Sequence, residues 1–74
     1  MQSMNIIPTL SMISQGYRHI IGDIETLFDD PEYESVFRLT EKAALESIRI
    51  RLLCMKREID TIALKHEKEL ALHE

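Results

Sequence analysis

The segment His66-Glu67-Lys68-Glu69-Leu70 is the first place in this chain where chemistry could sit. Two histidines four residues apart on a helix, with a glutamate between them, bind zinc and supply a general base. Position 70 is Leu, so the second ligand is missing. His66 and Glu69 share a face at i and i+3, and His73 follows a further turn on. A zinc site needs three or four converging ligands, so no metal is expected here. Cys54 is the one thiol. Its helical neighbours are Ile50, Arg57 and Glu58, with no histidine within a turn, and it is expected as a packed core cysteine rather than a nucleophile. The acids Asp29, Asp30, Glu32 and Glu34 lack the alternating oxygen ligands and central glycine of a calcium loop. They suit helix capping and the helix dipole instead. With glycine only at 16 and 22 there is no phosphate-binding loop. No catalytic residue, cofactor or metal is assigned, and the chain is read as a non-enzymatic protein.

The elements that position these residues follow from three breakpoints. Pro8 closes a lead-in of residues 1–8, and Thr9 or Ser11 can cap a first helix over about 9–28. Its apolar residues Leu10, Ile13, Tyr17, Ile20, Ile24 and Leu27 fall at spacings of three and four, widened by Ile21 and Phe28. At Asp29-Asp30-Pro31-Glu32 the residue before proline is pushed out of the helical region, which ends the helix at a turn over 29–30. Asp30 then caps a second helix that opens with Pro31 and meets no further Gly or Pro, so it runs to about 72. Thr40-Glu41 resembles a fresh start and marks a kink near 39–40. The stripe of this helix reads Tyr33, Phe37, Thr40, Ala44, Ile48, Leu52, Met55, Ile59, Ile62, His66 and Leu70. The fold class is therefore all-α: an antiparallel α-hairpin of a short and a long helix, completed into a helical bundle by oligomerisation.

Composition supports that class and narrows the function. The chain has 74 residues, 45% apolar and 30% charged, with two Gly, two Pro and no Trp, too apolar for disorder and too poor in turn residues for a sheet protein. So short a chain has a core worth about 3–5 kcal/mol, and with one cysteine no internal disulfide can add to it. Help must come from a protein partner. No apolar run is long enough to span a bilayer, so no membrane is expected. Met1–Ile7 has no Lys or Arg before a hydrophobic run, so no secretory signal is expected, and a free thiol fits a reducing cytoplasm. Net charge is −4, carried as −5 over residues 1–41 and +1 over 42–74. Arg49, Arg51, Lys56 and Arg57 cluster, but acids flank them, so nucleic acid is disfavoured as a partner. The alternative to an interaction module is a small dimeric transcriptional regulator presenting those four cations to DNA.

Two mismatches point to protein partners. A helix of about 20 residues folded back on one of about 42 should cover it only from about 32 to 51. The candidate partner-binding seam Leu45, Ile48, Leu52, Met55, Ile59 and Ile62 would then protrude uncovered at its far end. From Ala43 to Met55, nine of thirteen residues are apolar and do not fit one face. Ile50, Leu53 and Cys54 point away from the seam, and Val36, Leu39 and Ala43 extend this second stripe. A helix apolar on two sides must be buried on two sides. The expected working unit is a homodimer or a helical hetero-complex.

Asp30-Pro31-Glu32-Tyr33, followed by Ala44-Leu45-Glu46 and Ile48, resembles the small two-helix chaperones of type III secretion needle subunits over roughly residues 30–55. The resemblance implies a cytoplasmic protein that joins a helical-repeat co-chaperone and keeps a polymerising subunit soluble. The chain departs from that family in the length of its second helix and in the glycines of its first.

Overall fold

Pro8 has no amide N–H, but the first four amides of a helix lack an intrahelical partner, so a proline there forfeits no hydrogen bond. The first helix accordingly starts ahead of it. In the computed structural model, which describes residues 6–72, α1 spans Ile6–Phe28, three residues earlier than the sequence suggested. Residues 1–5 of the expected lead-in lie outside the described residues, as does His73.

The acidic turn reverses the chain. The Asp29 amide donates to the carbonyls of Glu25 (3.1 Å) and Thr26 (3.2 Å), and the Asp30 amide donates to Leu27 (3.1 Å), closing α1. The Asp30 carboxylate then reaches over Pro31 to accept the Glu32 amide at 2.8 Å. A short helix, α2, spans Tyr33–Val36 directly after it. Tyr33 is buried between two aromatic neighbours, with ring centroids 5.2 Å from Phe28 and 5.3 Å from Phe37. The ammonium of Lys42 lies 5.8 Å from the centre of the same ring. This cluster pins the reversal, joining the end of α1 to both ends of α2.

The expected single helix over 31–72 is divided. Phe37 is extended (φ −97, ψ 139), and α3 runs Leu39–Leu72, so the kink anticipated near 39–40 is a full break just before it. Its start is capped by Glu41, whose carboxylate accepts the Arg38 amide at 2.7 Å while the Arg38 carbonyl accepts the Lys42 amide at 2.9 Å. That is the returning half of a capping box, with the acid at the third helical position. Neither Gly nor Pro is needed at the break, because the side chain replaces the lost helical bond.

Helices α1 and α3 pack side by side and antiparallel, the only substantial helix pair among the described residues. Three side-chain contacts fix the register: Glu25 with Arg49 at 3.5 Å, Tyr17 with Met55 at 3.7 Å and Ser14 with Asp60 at 2.6 Å. Paired residue numbers sum to 72–74. Near its start, Ile7 and Leu10 of α1 border a groove with Ala63, Leu64 and Glu67. This overturns the expectation that helix one covers only residues 32–51. The break at Phe37 removes α2 from the long helix, and α1 begins earlier, so coverage reaches the late sixties. The molecule is a rod of 56 × 15 × 15 Å, close to the ~51 Å that α3 alone spans at 1.5 Å per residue.

Candidate protein-binding surface

Two rows of residues meet between the helices. On α1, Ile7, Leu10, Ser14, Tyr17, Ile21, Ile24 and Phe28 are half-buried or buried, Ile21 most deeply at 6% exposure. On α3 the half-buried residues are Lys42, Leu45, Arg49, Leu52, Lys56, Ile59, Ala63, His66 and Leu70. Both rows alternate steps of three and four, the repeat of a coiled-coil seam. The seam of α3 differs from the stripe expected from apolar residues alone, because Lys42, Arg49 and Lys56 occupy every second position of its first half. Their aliphatic stems line the contact while their charged ends turn to the edge.

That edge is polar. Arg49 bridges Glu46 at 2.9 Å and Glu25 of α1 at 3.5 Å. Lys56 pairs with Asp60 at 2.8 Å, Asp60 also accepts the Ser14 hydroxyl, and Lys42 pairs with Glu34 of α2. The Lys56 ammonium, helped by the Ser14 hydroxyl, holds the Asp60 carboxyl below the usual carboxylate range. Hydrogen bonding to Arg49 does the same for Glu46, and Glu46 in turn raises the guanidinium. Arg49 and Lys56 therefore face α1 and are neutralised inside the hairpin, whereas Arg51 and Arg57 are exposed elsewhere on α3. The four cations do not share one face.

The opposite edge is apolar through its middle, with Glu41 and Glu69 at the two ends of its α3 row. Ile13 and Ile20 flank the α1 seam next to Tyr17, and Ile48, Met55 and Ile62 flank the α3 seam next to Leu52 and Ile59, each row repeating every seven residues. The Tyr17 hydroxyl donates to the Met55 sulfur across the seam, so both rows lie on one side of the hairpin. All five are between 39 and 49% exposed. They form one apolar strip shared by two helices.

The six partner-binding residues expected on the long helix thus separate. Leu45, Leu52 and Ile59 turn toward α1 and are half-buried, while Ile48, Met55 and Ile62 remain exposed. Ile13 and Ile20, which the sequence pattern assigned to the inward seam of helix one, join the exposed set. The signal that separates them is the unbroken alternation from 42 to 70, legible only when cations are allowed into the seam. The second stripe, Val36, Leu39, Ile50, Leu53 and Cys54, is exposed throughout, with Leu39 and Val36 beside the break. Cys54 is therefore a free surface thiol on α3, not the packed core cysteine expected, because α1 contacts the other side of the helix.

His66 turns into the end of the seam, with its Nδ1 3.8 Å from Glu69. Among the described residues no three His, Cys, Asp or Glu side chains converge as a metal site, and no helix is long and apolar enough to cross a membrane. Comparison with protein-family models, curated proteins and solved structures finds no match. The class defined by the fold is a two-helix antiparallel hairpin with one polar and one apolar edge.

Proposed function

We propose that this chain is a non-enzymatic helical interaction module that binds partner helices through the strip Ile13, Ile20, Ile48, Met55 and Ile62. One observation carries the reading: two rows of large aliphatic side chains, from different helices, are exposed side by side on the same edge of the hairpin. Exposed contiguous apolar surface of this kind marks binding sites, whereas isolated exposed leucines or isoleucines do not. A helix laid along this edge would contact both rows at its own i, i+3, i+4 and i+7 positions.

The exposed free thiol of Cys54 supports placing this module in a reducing compartment such as the cytoplasm. A chaperone of the type III needle-subunit kind is one specific form of it, supported by the segment Asp30-Pro31-Glu32-Tyr33 and by Ala44-Leu45-Glu46 alone.

The test is the native mass of tagged protein in extracts of its own host, for wild type, for Ile48→Glu with Ile62→Glu, and for Ile50→Glu with Met12→Glu. A complex larger than the 8.6 kDa chain is expected for wild type and for the second pair, and is lost in the first. A wild-type chain that runs as a lone monomer, or a complex indifferent to Ile48 and Ile62, overturns the reading.

A further inference from the structure

The chain reversal leaves an apolar notch at one end of the rod, outside the seam between α1 and α3. Asp29-Asp30-Pro31 turns the chain, Phe37 leaves the helical region, and α2 between them is a single turn. The notch is lined by Leu27 of α1 and by Tyr33, Val36 and Phe37, with the exposed acids Asp30 and Glu32 completing its wall. It opens to water and has a volume of about 130 Å³. An apolar cavity of ~150 Å³ takes a benzene-sized guest, so this notch has room for one branched aliphatic side chain. Val36, in its wall, is 61% exposed, and Leu39, across the break, is 81% exposed.

Charge selects what fits the notch. Its two charged wall residues are both acids, and no cation lines it. Among the described residues neither carboxylate makes an ion pair; Oδ1 of Asp30 accepts the Glu32 amide, which leaves Oδ2 for a ligand. The whole reversal is acidic. Residues 29–42 hold Asp29, Asp30, Glu32, Glu34 and Glu41 against Arg38 and Lys42, a net −3. Residues 1–28 carry −1, and residues 43–74 balance six acids with six bases, so this one end holds most of the chain's net −4. Of its two cations, Lys42 is already held by Glu34 and the face of Tyr33. Such a field repels nucleic acid and acidic lipid, and it attracts a cationic segment and speeds its approach.

We propose that the reversal is a second docking site, which takes a basic peptide segment of another protein. One leucine or isoleucine of that segment enters the notch between Leu27, Val36 and Phe37. The lysines or arginines beside it meet Asp30 and Glu32. The apolar anchor gives position, and the acids select the sign of what surrounds it. The site shares no residue with the strip Ile13, Ile20, Ile48, Met55 and Ile62 and goes beyond the functional reading above.

The probe is a fluorescein-labelled peptide of a single leucine flanked by lysines, titrated with the purified full chain at low salt and followed by anisotropy. Binding is expected, and added salt should weaken it. Alanine in place of the leucine should cost about tenfold, and glutamates in place of the lysines should abolish binding. Asp30→Asn with Glu32→Gln keeps an oxygen for the Glu32 amide and removes both wall charges; it should weaken binding about fivefold. Glu58→Gln with Glu67→Gln, the same charge change on α3 away from the turn, should leave it within about twofold. Far-ultraviolet helicity is read for each variant. In methyl spectra of the wild type, Leu27 and Val36 should shift with the peptide while Ile48 and Ile62 stay in place. Absence of binding at low salt overturns the proposal, as does binding indifferent to the leucine or to Asp30 and Glu32, or shifts at Ile48 and Ile62 in place of Leu27 and Val36. Shifts of Leu27 and Val36 on concentrating the chain alone would give the notch to a second copy and overturn it likewise. The strip is tested separately by the native mass in host extracts, so failure of one site is distinguishable from failure of the other.

Discussion

Ile21→Ala is the sharpest perturbation of the hairpin itself. Ile21 is the most deeply buried residue of α1, facing α3 near Leu52. Truncation removes three carbons, worth about 2.4 kcal/mol at ~0.8 per buried methylene, and the cavity left in a tight two-helix seam brings the loss to about 3 kcal/mol. A chain of this size has only about 3–5 kcal/mol to lose. Met12→Ala is the matched control, since Met12 lies on the outward side of the same helix at 71% exposure and should change stability by less than ~0.5 kcal/mol. The assay is urea unfolding followed at 222 nm, with protein concentration held equal so that any association contributes the same to each variant. At a slope of about 1 kcal/mol per molar urea, the Ile21→Ala midpoint should fall by roughly 3 M, leaving the variant half unfolded with little or no urea. Midpoints within about 0.5 M of each other would mean that Ile21 is not the centre of the α1–α3 contact, and the register would be wrong.

The same geometry yields four further outcomes. Glu41→Ala removes the acceptor for the Arg38 amide and should cost about 1 kcal/mol in thermal or urea unfolding, with Glu41→Gln recovering most of it. Gly22→Ala should stabilise by about 0.5–1 kcal/mol, because a methyl there meets nothing within 4 Å and the backbone is already helical; a loss of stability would place an unseen neighbour on that side. Arg49→Leu should raise stability, since leucine suits a seam position and its partners Glu25 and Glu46 are exposed enough to be rehydrated. Finally, the folded state holds the Asp60 and Glu46 carboxyls below their usual values, so the stability they lend is present above the unfolded carboxylate range near pH 4 and is lost as pH falls through the depressed values. Urea midpoints should therefore drop between about pH 5 and pH 3, and Asp60→Asn should flatten part of that slope.

Much of the architecture was legible in the residues because the signals were local. Asp29-Asp30-Pro31 is a helix stop by sterics, and the chain reverses there, but the next helix opens at Tyr33 behind Glu32 rather than at Pro31 behind an Asp30 cap. The break at Phe37-Arg38 carries no Gly or Pro; Thr40-Glu41 marks a kink near 39–40, whereas the cap that starts α3 spans the three residues from Arg38 to Glu41. The start of α1 was missed for the opposite reason, because Pro8 looks like a barrier yet falls in the one turn where proline is tolerated. The exposed apolar strip was half legible. Counting only apolar residues drew the stripe through Ile48 and Met55, which merges the wall of the seam with its floor. Admitting Lys42, Arg49 and Lys56, whose stems pack while their charges pair at the edge, moves the inward row to Leu45, Leu52 and Ile59 and leaves Ile48, Met55 and Ile62 exposed. The alternation from 42 to 70 carries this, but only once cations are admitted to the seam, and a count of apolar residues passes over it.

In the working assembly, the edge carrying Ile13, Ile20, Ile48, Met55 and Ile62 should be covered and the outer side of α1 should not. The two methionines Met55, on that edge, and Met12, on the outer side, report on it directly through their rates of oxidation by peroxide, read by mass spectrometry on the assembly isolated under native conditions. The ratio of Met55 to Met12 oxidation should be several-fold lower for wild type than for the Ile48→Glu, Ile62→Glu chain that cannot assemble. Equal ratios in the two would mean that nothing covers this edge, and would contradict its role as the binding surface.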